Sequence, residues 1–96
     1  MITAFVQIKT EVGQVADIAS RLSELQDVSE TYSVSGDWDI VLIVKVKEFE
    51  DLATVMSDKI AKVPGILRTN TLIGLRYFPH RLLDQGFSIG MQETKS

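Results

Sequence analysis

The first residues of the chain alternate between apolar and polar positions with a period of two. In the segment Ala4–Lys9 one face consists of Ala4, Val6 and Ile8, and the other of Phe5, Gln7 and Lys9. The segment Val28–Val34 alternates too, with Val28, Tyr32 and Val34 on one face. A period of two predicts a β-strand with at least one buried face. We therefore predict two strands here, the second of them half polar.

A third strand is predicted over Asp39–Val46, where Ile40–Val44 is apolar at every position. Period alone does not separate such a run from a helix, but its β-branched side chains favour a strand. A continuous apolar strand is typical of the centre of a sheet that is covered on both faces. A fourth strand is predicted over Ile66–Leu75. One of its faces carries Thr69 and Thr71, and the other carries Asn70 and Leu72.

Two helices are predicted between these strands, because apolar residues recur at spacings of three and four. The apolar side of the first consists of Val15, Ile18, Ala19, Leu22 and Leu25, and that of the second of Phe49, Leu52, Ala53, Met56, Ile60 and Val63. The first helix should end near Leu25–Asp27, and Pro64-Gly65 should stop the second.

The predicted order is strand, helix, strand, strand, helix, strand. This order indicates an α+β domain with the ferredoxin-like βαββαβ arrangement, in which two βαβ halves share one antiparallel sheet. The helices of such a domain cover one face of the sheet. An apolar opposite face needs a partner, and a homodimer that packs sheet against sheet, as a dimeric α/β sandwich or barrel, is the simplest solution.

A polar turn, Gly36-Asp37-Trp38-Asp39, separates the second and third predicted strands. Gly and Asp are ordinary turn residues, but two carboxylates that flank an indole are more than a turn requires. Exposed backbone amides beside fixed carboxylates suit a zwitterion, because the amides can donate to its carboxylate and the acids can bind its ammonium group. The alternative is an acidic hairpin with an aromatic plug.

Composition narrows the class of protein. The 96 residues make one domain, the net charge is −3 at pH 7, and there is no cysteine. The charge argues against a nucleic-acid binder that works alone, and the lack of cysteine excludes disulfides and cysteine metal sites. No apolar run is long enough to cross a bilayer and no signal peptide is evident, so we expect a cytoplasmic protein.

Charge is unevenly distributed along the chain. Eight acidic residues and two lysines lie between Asp27 and Asp58, whereas six basic and two acidic residues lie from Lys59 to the end. Such an asymmetry either orients two subunits relative to each other or belongs to an uneven solvated surface.

Little in the sequence indicates catalysis. His80 is the only histidine, and its position between Pro79 and Arg81 is typical of a surface residue. There is no histidine–carboxylate cluster with metal-ligand spacing and no glycine-rich phosphate loop, so no catalytic residue, metal or cofactor is predicted. Asp37 and Asp39 could act as acid and base only if burial separated their pKa values.

Several other side chains have two interpretations each. Trp38 either walls a pocket or a subunit contact, or it lies flat on its own hairpin. Tyr32 either presents its hydroxyl to a ligand or packs with a polar tip. The hydroxyls of Thr69 and Thr71 matter only if their face meets the turn of the same or another subunit; otherwise they reflect the preference of Thr for strands.

The segment Tyr32–Ile40, Tyr-Ser-Val-Ser-Gly-Asp-Trp-Asp-Ile, resembles a pattern of the leucine-responsive/asparagine regulator (Lrp/AsnC) family. That pattern, Tyr-x-Val-x-Gly-Asp-(aromatic)-Asp, occurs in the family's effector-binding (RAM) domain. The other segments that resemble the family are Ala4–Ile8, Phe49–Leu52, Val63–Ile66 and Thr69–Thr71. Together they cover roughly residues 2 to 75.

The resemblance implies a ferredoxin-like domain that dimerises through its sheets, often assembles to octamers, and binds a free amino acid between dimers. Carried over by position, the candidate contacts are Gly36, Asp37, Trp38 and Asp39 on the turn, Thr69 and Thr71 on the last strand, and Tyr32 and Ser35. Asp37 or Asp39 would bind the ammonium group, the turn amides the carboxylate, and the neighbouring subunit the side chain. Binding and assembly would then be linked.

One feature departs from the family pattern. Family regulators carry an N-terminal helix-turn-helix domain, whereas this chain starts at the first strand. We therefore expect a stand-alone form that binds neither nucleic acid nor membrane directly and has full-length Lrp/AsnC regulators as candidate partners. The domain is expected over residues 1–76, and residues 77–96 are expected to form a C-terminal extension with a short strand over 87–91 and a disordered end.

Three functions remain as alternatives. The first is an amino-acid-sensing and oligomerisation module of a transcriptional regulator family. The second is a small cofactor-free enzyme of monooxygenase or isomerase type, since dimeric ferredoxin-like barrels also host such enzymes. A cavity that contains His80, Tyr77 or Asp37 would favour the enzyme. The third is a purely structural assembly unit.

Overall fold

The computed structural model describes residues 1–80. Its strands are β1 (Ile2–Thr10), β2 (Val28–Ser33), β3 (Ile40–Val46) and β4 (Ile66–Ile73). Helix α1 is Val15–Ser23, and helix α2 is Phe49–Thr54 and continues as a π-helical segment, Val55–Ile60. The strands form one antiparallel sheet in the order β2-β3-β1-β4. The predicted α+β class and βαββαβ order are confirmed, while the strand predicted over 87–91 and the end beyond it lie outside the described residues.

The core lies between one face of the sheet and the two helices. Strands β1 and β3 each contribute every second residue to the core. These residues are Ala4, Val6 and Ile8 of β1, and Ile40, Leu42, Val44 and Val46 of β3. The helices contribute Ile18, Leu22, Leu52, Val55 and Ile60. The strand positions and most of the helix positions are those that the two periodicities predict, because side chains of a strand alternate between faces and those of a helix recur every 3.6 residues. The exceptions lie in the second helix, where Val55 is buried although the spacing does not predict it, and the predicted Phe49 and Ala53 are exposed.

The helices differ from the prediction at their ends and in their geometry. Helix α1 ends at Ser23, before the predicted end near Leu25–Asp27, although Leu25 still packs against the core. The second helix widens into the π-helical segment. Next to that change the hydroxyls of Thr54 and Ser57 donate to carbonyls four residues earlier, at 3.2 and 2.6 Å. Such bonds compete with the helical backbone ladder.

The prediction that Val28 and Tyr32 share a face of β2 is wrong. Val28 is paired with Val44, whose side chain is buried under the helices, whereas Tyr32 is paired with Val41 on the opposite face. The register shifts between Val28 and Glu30, which indicates a bulge or irregularity of the ladder. An extra residue on one strand moves every following side chain to the other face.

The sheet face away from the helices, here called the open face, is uncovered within the described residues. Its apolar side chains are half-buried or exposed: Phe5, Tyr32, Val41, Ile43 and Leu72. Strand β3 lies in the interior of the sheet, as predicted. The helices of one protomer cover only one of its two faces, whereas the sequence predicts that both are covered. Among the described residues, no helix is long and apolar enough to span a membrane.

Candidate functional site

The turn between β2 and β3 is closed by two backbone hydrogen bonds. The amide of Val34 donates to the carbonyl of Asp39 at 3.0 Å, which leaves residues 35–38 as the loop. The amide of Asp39 donates to the carbonyl of Ile8 on β1 at 2.9 Å. The loop is therefore fixed both to its own hairpin and to the neighbouring strand.

A glycine is needed at position 36 because of the backbone conformation of the turn, and not because a larger side chain would lack space. Its φ is +105°, in a region that residues with a Cβ rarely adopt. A Cβ built at Gly36 would have no atom within 4 Å. The glycine therefore sets the direction of the loop amides without packing against anything.

The loop presents backbone amides without intramolecular partners. Within residues 1–80, none of the amide N–H groups of Ser35–Trp38 donates a hydrogen bond. The loop residues Ser35, Gly36 and Asp37 are exposed, and Trp38 is half-buried. Successive free amides in a turn form a site for an anionic group such as a carboxylate.

The two aspartates of the turn have different roles. Asp39 Oδ2 accepts a hydrogen bond from the backbone N–H of Thr10 at 2.9 Å and lies 3.7 Å from Lys9 Nζ. The Thr10 N–H holds the pKa of Asp39 below its ordinary value, and Lys9 acts in the same direction. In contrast, Asp37 is exposed and has neither a hydrogen bond nor an ion pair in the described part of the chain. Asp39 therefore holds the loop in place, whereas the carboxylate of Asp37 has no partner among the described residues.

The indole of Trp38 reaches across β1 towards β4. The guanidinium carbon of Arg68 lies 4.8 Å from the centre of the Trp38 ring. Arg68 is paired with Lys9, which places both on the open face. The indole of Trp38 therefore makes a contact outside its own hairpin.

Thr69 and Thr71 lie on the other side of the sheet from this stack. They are paired with Ile8 and Val6, whose side chains are buried under the helices, and Thr71 Oγ1 lies 3.7 Å from the Met56 sulfur. Within one protomer the threonine hydroxyls are therefore on the opposite face from the Trp38 ring. They can join the turn in a single site only if a second subunit brings its β4 to the first.

The two remaining sequence candidates lie near the turn. Ser35 is exposed in the loop itself. Tyr32 is on the open face, and its hydroxyl donates to Oε1 of Glu30, which raises the pKa of Tyr32. The residues that sequence reasoning missed are Lys9, Thr10 and Arg68. Because each meets the turn through strand pairing, no local sequence motif indicates them.

A cavity of about 420 Å³ lies at the far end of the open face from the turn. Its lining includes Phe5, Lys45, Arg76 and Tyr77. Of the residues that would favour an enzyme, it contains Tyr77 but neither Asp37 nor His80. The cavity therefore meets the condition stated above for the enzyme alternative through Tyr77, and its other titratable side chains are Lys45 and Arg76.

The chain is similar to known regulators. A family model described as the Lrp/AsnC ligand binding domain matches residues 3–81. The HTH-type transcriptional regulator FL11 of Pyrococcus abyssi is 36% identical over 73 residues, which are 76% of this chain and 48% of that protein. The chain thus spans about half the length of the curated relatives it matches.

Solved structures show the same fold. The crystal structure of TTHA0845 from Thermus thermophilus matches with a TM-score of 0.80 at 39% identity, over 83% of this chain and 100% of that chain. The feast or famine regulatory protein Rv3291c of M. tuberculosis, complexed with L-methionine, matches with a TM-score of 0.71 at 28% identity, over 91% of this chain and 56% of that one. These similarities agree with the ferredoxin-like architecture.

Proposed function

We propose that this chain, which belongs to the Lrp/AsnC ligand-binding domain family, senses a free amino acid at the turn between β2 and β3. The observation that carries the proposal is the row of unpartnered amides at Ser35–Trp38 beside the unpaired carboxylate of Asp37. An α-amino acid presents a carboxylate and an ammonium group on one carbon. The turn offers a partner for each of them.

The proposal gives each group of the turn one role. The loop amides donate to the ligand's carboxylate, and Asp37 accepts from its ammonium group. Asp39 is assigned to the frame rather than to the ligand, because its Oδ2 already accepts from Thr10 and lies beside Lys9. Gly36 keeps the amides directed at the ligand. The complex with L-methionine of the relative Rv3291c supports an amino acid as the class of ligand.

The proposed site is completed by a neighbouring subunit. Thr69 and Thr71 lie on the opposite face of their own protomer from the Trp38 ring, so a second copy would supply them. The open face supports dimerisation, because a contiguous apolar sheet face in water favours association. Octamers, as the family resemblance implies, would bring dimers together at the turns. Ligand binding at such a contact would stabilise the assembly.

We also propose that the chain modulates longer relatives by assembling with them. The support is the 36% identity shared with the matched half of FL11 and the apolar open face of this chain. Tagged full-length relative from the same cells should recover this chain in a pull-down. If no relative is recovered, and purified subunits do not exchange in vitro, this part of the proposal is refuted.

A thermal-shift screen of the twenty amino acids tests the main proposal. A ligand that binds only the folded state raises the unfolding midpoint by mass action. At least one amino acid should raise the midpoint of the wild type, and Asp37→Asn should lose that response. Asp58→Asn is the matched control, because Asp58 is an exposed helical carboxylate with no partner among the described residues. A flat response to every amino acid would contradict the proposal and favour a purely structural unit.

A further inference from the structure

The stack of Arg68 on Trp38 forms an arch over one end of the open face. The two residues come from β4 and from the loop before β3, and β1 lies between them. Neighbouring strands are about 4.8 Å apart, so a contact between residues on the two sides of β1 spans about 10 Å. The guanidinium carbon lies 4.8 Å from the ring centre, within the range of a cation–π contact.

The charges around this arch do not balance. Lys9 is paired with Asp39 at 3.7 Å. In the proposed complex the ligand's ammonium group is paired with Asp37 and its carboxylate with the loop amides. Arg68 has no carboxylate within 4.0 Å among residues 1–80. Within one protomer, the guanidinium of Arg68 is thus a cation without a carboxylate partner, stacked on the ring of Trp38.

We propose that the site selects an acidic amino acid, aspartate or glutamate, whose side-chain carboxylate is bound by Arg68. This inference rests on the proposed function and specifies its ligand. The guanidinium offers a planar set of N–H donors that fits a carboxylate in a bidentate manner. Its stacking on the Trp38 ring restricts its orientation, so less conformational freedom is lost on binding.

An apolar side chain fits the arch less well. To contact the face of the Trp38 ring on the side of Arg68, it would have to displace the guanidinium and lose the cation–π contact. A carboxylate instead pairs with the guanidinium and leaves the stack intact. A carboxamide oxygen can accept a hydrogen bond from the guanidinium, but the group carries no charge and has a single oxygen, so it cannot form the bidentate ion pair. The expected order of affinity is therefore glutamate or aspartate, then glutamine or asparagine, then leucine or methionine.

Titrations of the full chain with glutamate, glutamine and leucine test the order. Calorimetry gives the affinities, and the fluorescence of Trp38, the only tryptophan, reports on the stack. Arg68→Gln should weaken glutamate binding by about tenfold to a hundredfold, the range of a hydrogen bond to a charged group, and leave leucine binding unchanged or tighter. Arg68→Lys should lose an intermediate amount, because lysine keeps the charge but not the planar fork.

The control is Arg21→Gln, which removes the same charge from an exposed position of α1. It should bind all three amino acids like the wild type. If leucine binds the wild type more tightly than glutamate, or if Arg68→Gln leaves the glutamate-to-leucine ratio unchanged, the assignment of Arg68 is overturned and the amino-acid site stands. If no amino acid binds the wild type at all, the site itself is refuted.

Discussion

The backbone N–H of Thr10 donates a hydrogen bond to Oδ2 of Asp39 at 2.9 Å, across 29 positions of sequence. This bond ties the last residue of the turn to the end of β1, and the amide of Asp39 is bound to the same strand through Ile8. The turn is therefore held from outside its own hairpin. A loop that is rigid before a ligand arrives loses little conformational entropy on binding.

Removal of the Asp39 carboxylate should destabilise the fold, whereas removal of the Asp37 carboxylate should not. Asp39→Asn loses the charge-assisted bond from Thr10 and the ion pair with Lys9. Asp37→Asn removes a carboxylate that has no partner within the described residues. Thermal unfolding without ligand should therefore show a lower midpoint for Asp39→Asn only. Equal midpoints for the two variants would contradict the structural role of Asp39.

The same contact predicts a dependence of stability on pH. The pKa of Asp39 is lowered in the folded state, so the folded protein favours the ionised carboxylate. Its contribution is fully present above the unfolded value of about 3.9 and is lost as the pH falls through the lower folded value.

Denaturant titrations of the wild type and Asp39→Asn at several pH values measure this contribution. The difference in the free energy of unfolding should be constant from neutral pH to about pH 5, and should shrink below about pH 4. A difference that grows as the pH falls would contradict the lowered pKa.

Alanine at Gly36 should weaken ligand binding in a way that alanine at Gly13 does not. Both glycines have positive φ, +105° and +82°, and a Cβ at either would have no atom within 4 Å. Each substitution should cost about 1–2 kcal/mol of stability through the backbone alone. Only Gly36→Ala should redirect the loop amides and weaken amino-acid binding. Calorimetric titration of both variants checks this, and an equal loss of binding would show that the effect is general destabilisation.

A charge in the middle of the open face should break the dimer that we propose. Ile43 is half-buried at the centre of that face and pairs with Phe5 of β1. Ile43→Lys would bring a cation into a sheet-to-sheet interface, where an unpaired charge is costly. Phe49→Lys is the control, because Phe49 is an exposed apolar residue at the start of α2. Sedimentation should show smaller particles for Ile43→Lys only; unchanged mass would argue for a different interface.

Much of the fold follows from the sequence because it depends on local periodicity. The alternation in β1 and the spacing of Ile18 and Leu22 in α1 indicate the core directly. The face of Tyr32 does not follow, because it depends on the register shift between Val28 and Glu30. The intervening Ser29 carries no glycine or proline signal for an irregular ladder. The π-helical segment likewise has no signal in the apolar spacing.

The candidate site, like the fold, is predictable where it depends on local sequence and not where it depends on strand register. The composition of the turn indicates the loop, its exposed amides and its two carboxylates. It does not separate Asp37 from Asp39, because the difference is made by Thr10 and Lys9 of another strand. The stack of Arg68 on Trp38 depends on the pairing of Lys9 with Arg68, far apart in sequence. Contacts that depend on strand register can be identified only when the pairing of the strands is known.

The most direct test of the amino-acid site is backbone amide NMR of the deuterated, 15N-labelled chain during titration with the best ligand from the thermal-shift screen. The account predicts that the largest shifts occur at the amides of Ser35–Trp38 and at the indole N–H of Trp38, and that Asp37→Asn greatly reduces them at the same ligand concentration. Unchanged loop amides at a saturating concentration, or largest shifts around Tyr77 at the other end of the open face, would contradict it.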